Sequence, residues 1–168
     1  MQINEIDYKE RHKLAGDIRA LGKEKYIIGI DGMTGTGKTN LAHYLAGETT
    51  LESIHLDDYM SPDLESYYEA INFGQLKQRI KHLESRSFII EGCCLLKILE
   101  FCKMKPNKMI YCKEMSQNND LWHFERELED YVMKGVADNM PKLHKEIYDY
   151  HVEFKPWEKA EYIYKIVR

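Results

Sequence analysis

The run Asp31–Thr39, DGMTGTGKT, directly follows the apolar stretch Tyr26–Ile30 and constrains this chain more than any other segment. Gly32, Gly37, Lys38 and Thr39 fill the fixed positions of G-x-x-x-x-G-K-[ST], with Gly35 a further glycine inside the loop. A backbone that turns its N–H groups inward around an anion needs residues with no Cβ in the way. The lysine of this pattern reaches the β- and γ-phosphates of a nucleotide, and the hydroxyl after it can ligate Mg²⁺. Gly32, Met33, Thr34, Gly35, Thr36, Gly37, Lys38 and Thr39 are therefore the expected phosphate-binding segment. A helix that begins here aims its positive dipole end at the phosphates. Leu41, Ala42 and Leu45 supply its apolar stripe, and Gly47 is expected to end it. A glycine-rich turn can join any strand to any helix, but that leaves Lys38-Thr39, in register behind the glycines, without a reason. The pattern implies a nucleotide phosphate site.

The rest of the chain alternates short apolar runs with helical periodicities. Residues 4–23 read as a helix with Ile6, Leu14, Ile18 and Leu21 on one face, so 1–24 is expected to be a helical extension ahead of the first strand. Strands are expected at 26–30, 51–56, 88–90, 109–112 and 162–166. Between them lie helical patterns carried by Phe73, Leu76, Ile80 and Leu83, by Leu95–Leu99, by Leu121, Phe124, Leu128 and Val132, and by Leu143, Ile147 and Tyr150. Strands alternating with helices predict an α/β three-layer sandwich with a mostly parallel sheet of about five strands, plus the extra N-terminal helix. Ligands in such sheets sit outside the carboxyl ends of the strands. Three expected strands end in acidic residues there: Asp31, Asp57-Asp58 and Glu91. A carboxylate closing a buried strand is costly unless it is paired or near a metal. Phosphoryl transfer, for its part, needs carboxylates for Mg²⁺ and a base for the attacking oxygen. Asp57 and Glu91 are expected to serve there.

At 168 residues the chain is long enough for one full core and short for two, so a single nucleoside triphosphate-binding domain over 1–168 is expected. A net charge of −4 argues against sequence-independent binding to nucleic acid or an anionic membrane. No long apolar segment or signal-peptide core is present. Cys93, Cys94, Cys102 and Cys112 form no C-x-x-C pair and read as buried free thiols, which fits a reducing, cytoplasmic setting. None of the seven histidines has metal-ligand spacing, and His55 reads as a packed strand residue. Packing is the commoner role for tyrosine, although Tyr59, Tyr67 and Tyr68 could line an acceptor or base pocket. Asn107-Lys108-Met109-Ile110 begins like a guanine-reading segment but has isoleucine where the aspartate must be.

The strand-DG-x-x-G-x-GKT unit, then Leu56-Asp57-Asp58-Tyr59, then Ile89-Ile90-Glu91-Gly92, is similar to the uridine kinase and phosphoribulokinase group of P-loop kinases. His151–Ile163, with Pro156 and Ala160 before a final strand, resembles that group's ending, so the likeness spans most of residues 25–166. The resemblance implies a P-loop NTPase fold, ATP and Mg²⁺ as cofactors, and transfer of the γ-phosphate to a hydroxyl of a small molecule. It implies Lys38 and the 32–39 backbone on the phosphates, Thr39, Asp57 and Glu91 around Mg²⁺, and Asp57 as general base. It also implies a cationic lid, for which the best register is Glu125–Gly135. Arg126, Asp130 and Gly135 keep the pattern, Lys134 replaces an arginine, and Glu125 and Glu129 stand where cations belong. Arg126 and Lys134 would then close over the γ-phosphate. Residues 59–74 do not match nucleoside-binding sequences, which leaves the acceptor open between a nucleoside, a phosphorylated sugar and other alcohols. The acidic lid keeps two alternatives in view: an ATP-binding regulatory module with little transfer, and a P-loop NTP hydrolase. The N-terminal helix is left to pack on its own core or against a second copy in a homo-oligomer.

Overall fold

Six short strands, the central ones apolar enough to be covered on both faces, build one wholly parallel sheet. The computed structural model describes residues 3–22, 24–117, 121–135 and 139–167. The strands are β1 (Asn4–Asp7), β2 (Ile27–Gly32), β3 (Glu52–His55), β4 (Phe88–Glu91), β5 (Lys108–Met115) and β6 (Tyr162–Val167), in the spatial order β1-β6-β5-β2-β4-β3. The central strands alternate between two cores, as the period of two requires. Ile28 and Ile30 of β2, Ile89 of β4, and Ile110 and Cys112 of β5 face one side. Ile27, Phe88, Ile90, Met109 and Tyr111 face the other. Helices α1 (Arg11–Arg19) and α2 (Lys38–Thr49) cover the first face through Leu14, Ala15, Ile18, Leu41, Ala42 and Leu45. The second face carries α3 (Tyr67–Ala70), α4 (Phe73–His82), α5 (Leu95–Phe101), α6 (Glu125–Lys134), α7 (Lys142–Phe154) and α8 (Pro156–Lys159). This is the expected three-layer α/β sandwich.

The sheet has six strands rather than about five, because the N-terminal segment is not one helix. Asn4–Asp7 pairs in parallel with β6, with Asn4 opposite Tyr162 and Asp7 opposite Lys165. Ile6 is buried between the flanking Glu5 and Asp7, an edge-strand alternation that its spacing from Leu14 disguises as helical. Asp7 then accepts a hydrogen bond from the Lys9 N–H (2.9 Å) and opens a short 3-10 turn, after which α1 runs only to Arg19. Gly47 does not stop α2, which continues to Thr49; beyond its chain neighbours and its own helix backbone, no described heavy atom lies within 4 Å of where its Cβ would be. The residue after β5 that enters the core is Trp122, bridged to Met115, while Leu121 and Val132 are exposed.

Chain order reverses at β2, which has β4 on one side and β5 on the other, and the crevice at its carboxyl end is where such sheets bind ligands. Asp31 sits there fully buried. The Tyr150 hydroxyl of α7 donates to its Oδ2, the Gly32 N–H donates to its Oδ1 (2.7 Å), and the Leu96 N–H donates to the tyrosine oxygen (3.2 Å). Burial pushes the Asp31 carboxyl up to about 6, against the lowering effect of Tyr150, Gly32 and the Lys38 charge. A rise of that size above an ordinary aspartate is worth about 3 kcal/mol. Because the folded-state value is the higher one, the charged form weakens the fold above pH 6, and stability is regained as pH falls from 6 towards 4. His151 acts in the opposite sense. Burial lowers its imidazole to about 4, so stability that it provides above pH 6.5 is lost as pH falls towards 4. Asp31→Asn removes only the first contribution. Denaturant melts at pH 7 and pH 4 should show wild type gaining about 2 kcal/mol relative to the variant at the lower pH, where the unfolded aspartate is itself partly protonated. A constant difference would show that Asp31 does not titrate in this range.

Candidate active site

The loop 33–37 leaves β2 and enters α2 through Gly37, whose φ of +76° lies in the left-handed region and is held at the helix N-cap. A Cβ there would come within 2.8 Å of Ile166 Cδ1 on β6, a side-chain end that can shift, so it is the backbone conformation more than the space that favours glycine at this position. Thr34, Gly35, Gly37, Lys38, Thr39 and Asn40 form one wall of a cavity of about 450 Å³. Gly32, Met33 and Thr36 lie behind that wall: Thr36 is buried and its hydroxyl donates to the Met33 carbonyl (2.8 Å), which braces the loop. Lys38 is also buried. Its Nζ donates to the same carbonyl (2.8 Å) and to Cys93 Sγ (3.3 Å). Burial opposes its charge, but the Cys93 and Cys112 sulfurs and the Asp31 carboxylate more than offset this and raise the ammonium's pKa. The loop thus keeps a protonated lysine at neutral pH.

Opposite the loop stand the two expected carboxylates. Glu91 closes β4 and is almost wholly buried, which the sequence pattern permits only if it is paired. It is paired twice at one oxygen: Oε1 accepts from Thr39 Oγ1 (2.9 Å) and from His55 Nδ1 (2.8 Å). His55 lies directly across from Glu91 in the β3–β4 register, and its Nε2 meets the Ser53 hydroxyl at 2.9 Å. With the ring proton on Nδ1, Ser53 donates to Nε2, and the imidazole fixes the glutamate's orientation as outer-shell histidines do at metal sites. His55 is therefore more than a packed strand residue. Asp57 lies on the 3-10 turn Leu56–Tyr59 after β3, exposed and on the cavity wall. The turn is seated by Leu56, which is fully buried over Gly92; a Cβ on Gly92 would lie 2.5 Å from Leu56 Cδ1 and 2.7 Å from its Cβ. The glycine after Glu91 thus lets the turn that carries Asp57 pack against the end of β4, and Glu91 reaches the cavity wall through its bond with Thr39.

The donor set fits Mg²⁺ in the manner usual for that ion, which takes one or two carboxylates plus substrate phosphates and water rather than a protein cage. Among the described residues no group of three or more His, Cys, Asp or Glu is gathered as a metal cage. Thr39, Glu91 and Asp57 are the residues that would hold it. The expected lid cations are elsewhere. Arg126 is exposed on α6 and Lys134 ends that helix ion-paired to Asp130 (3.0 Å), and neither is on the cavity wall. The far wall is instead Met60, Tyr67, Cys93, Leu143 and Ile147. Of these, only Tyr67 stands out in the sequence as a pocket candidate; Leu143 and Ile147 read as core. Burial raises the Cys93 thiol, with Lys38 and Thr34 pulling the other way.

No protein-family model matches this sequence, and no curated protein matches it by sequence. The fold does have matches among solved structures. A possible uridine kinase from Bacillus stearothermophilus superposes with a TM-score of 0.57 at 16% identity, over 92% of this chain and 96% of that one. A sugar kinase from Janibacter sp. HTCC2649 gives 0.46 at 18% identity over 86% and 85% of the two chains. A shikimate kinase from Bacteroides thetaiotaomicron gives 0.42 at 17% identity over 83% and 86%. The chain shares the fold of the first.

The Gly92 contact is open to direct measurement. Gly92→Ala should cost about 1–3 kcal/mol in denaturant unfolding, since the added methyl must displace Leu56 in a filled core. It should also move Asp57 away from Glu91. Wild-type stability in the variant would show that the turn seats in another way.

Proposed function

We propose that the chain is an ATP-dependent kinase that transfers the γ-phosphoryl group to a hydroxyl of a small molecule, with Mg²⁺ as companion ion. The observation that carries this reading is the joining of Thr39 to Glu91 at 2.9 Å, with Asp57 exposed on the wall of the same cavity. A loop that bound phosphate without Mg²⁺ would have no need of two carboxylates beside it, and Asp57, the exposed one, is placed to meet an acceptor as well. In this reading the loop N–H groups and the α2 N-terminus hold the phosphates, and Lys38 supplies a fixed positive charge. Thr39, Glu91 and Asp57 hold Mg²⁺, which neutralises phosphate charge when bound. Asp57 takes the proton of the acceptor hydroxyl as its oxygen bonds to the γ-phosphorus and the bond to the ADP oxygen breaks. His55 keeps Glu91 facing Thr39. Adenine is favoured over guanine by the resemblance and by Ile110 in the place of a guanine-reading aspartate. The cytoplasm, where ATP and reduced thiols coexist, is the compartment that suits this chemistry. No described helix is long and apolar enough to cross a membrane.

A second reading, an ATP-binding module with little transfer, draws on one specific observation: Lys134 is engaged with Asp130 and Arg126 is off the cavity wall. Two variants separate the readings. Lys38→Ala should weaken MgATP binding about a hundredfold, the loss of a charged, buried phosphate partner. Asp57→Asn should keep nucleotide affinity within a few-fold but slow acceptor phosphorylation by about 10²–10⁴. Calorimetry and a coupled ADP assay report the two quantities. Transfer that survives in Asp57→Asn would remove it as base, and nucleotide binding without acceptor-dependent turnover in wild type would favour the binding module.

A further inference from the structure

The apolar stripe of α6 runs off the core. Leu128 is buried, but Val132, one turn further along, is 63% exposed, and Met133 beside it is 83% exposed. They are the two most exposed large apolar side chains among the described residues. Apolar residues scattered singly over a surface are ordinary, whereas these two adjoin a hollow with apolar walls. It is a groove of about 470 Å³, with Leu128, Glu129, Val132 and Met133 on the α6 side. The corner between α7 and α8 supplies the other side through Val152, Lys155 and Trp157. The groove is preformed: the Trp157 ring meets Trp122 edge-on, 5.0 Å between centroids, and stacks on the buried His151 at 6.3 Å. It shares no residue with the nucleotide cavity.

The charges beside the groove point to what covers it. Glu129 stands on the α6 bank and Lys155 on the opposite bank. Among the described residues Glu129 has no ion pair, and Lys155 reaches only the exposed Glu158, 3.8 Å away. An acid and a base on opposite banks of one apolar groove make a surface complementary to itself. A two-fold axis through the groove sets Glu129 of each copy against Lys155 of the other, and it closes the assembly at two chains. The same operation lays Met133, free on most of its surface, over the other copy's apolar floor. Exposed charge pairs add little affinity, so the pairs fix the register while apolar burial supplies the attraction. An anionic lipid surface fits less well, since it would attract Lys155 but repel Glu129 and Glu158.

We propose that this face binds a second copy of the chain. In the resulting isologous dimer, α6 and the α7–α8 corner of each copy close the other's groove, with Val132 and Met133 at the centre and the Glu129–Lys155 pairs at the rim.

Sedimentation velocity of the full chain across a dilution series tests this. Wild type should pass from one chain to two as concentration rises, with half-association at about 1–100 µM, the weaker end of the range for protein interfaces. Met133→Glu should weaken association by about tenfold or more, because it places an unpaired carboxylate at the centre of the contact. Glu129→Lys alone should weaken it by roughly three- to tenfold, through two like-charge meetings per dimer. Glu129→Lys combined with Lys155→Glu should bring it back to near the wild-type value, since the exchange rebuilds both pairs with their signs reversed. These two surface substitutions keep the test open whatever Met133→Glu does to the single chain. A wild type that stays a single chain up to about 1 mM would overturn the second copy as occupant and leave the groove to a partner of another sequence. A dimer indifferent to Met133→Glu would overturn this face as the contact. A loss in Glu129→Lys that the double variant does not recover would overturn the two-fold pairing.

Discussion

The hydrogen bond from Thr39 to Glu91 joins the first turn of α2 to the end of β4, and the arrangement of the site depends on it. It exists because β2 and β4 are parallel neighbours, with Ile30 opposite Glu91, so the loop leaving β2 and the carboxylate closing β4 emerge at the same edge. Parallel pairing in turn requires crossover helices on both faces, which is what buries the strands and makes an unpaired Glu91 untenable. His55 then completes the account. It meets the same carboxylate oxygen from β3, so α2, β3 and β4 converge on one buried acid.

Behind this front lies a second buried polar network. Asp31 lies next to the end of β2, and its carboxylate is held by Tyr150 from α7 and by the Gly32 N–H. The tyrosine oxygen also accepts from Leu96 of α5, so the loop's starting point is fixed by two helices of the other layer. The same helix α7 contributes Leu143 and Ile147 to the cavity wall. One helix therefore both anchors the phosphate loop and shapes the acceptor side, a coupling that gives the site a fixed depth. Lys38, turned to the Met33 carbonyl, keeps the loop closed around its own charge.

The loop, the strand-end acids and the layered architecture were legible in the sequence because each is local. Glycine spacing, a lysine-threonine pair and short apolar runs need no distant partner to be recognised. What escaped was tertiary. β1 has Ile6 as its one buried residue and is a strand only because β6, from the other end of the chain, offers it an edge. His55 gains its role from the β3–β4 register, which no local pattern encodes. Tyr150 reads as one more member of a helical stripe, yet it is the partner of Asp31. The lid pattern is another matter. Lys134 meets Asp130 one turn away along the helix and Arg126 is exposed, neither on the cavity wall, and an exposed pair of that kind is worth too little to hold the lysine from a phosphate. Gly92 was visible as part of a motif, but its reason, the close approach of Leu56, belongs to packing.

Phosphorus NMR of MgATP incubated with the full chain and a mixture of small alcohols tests the central claim most directly, because it sees where the γ-phosphorus goes. A phosphotransfer site built from Lys38, Thr39, Asp57 and Glu91 predicts that the γ-resonance is replaced by ADP signals and a new phosphomonoester, both absent when the alcohols are withheld. Inorganic phosphate appearing at the same rate with or without the alcohols, or an ATP spectrum that never changes, would contradict it.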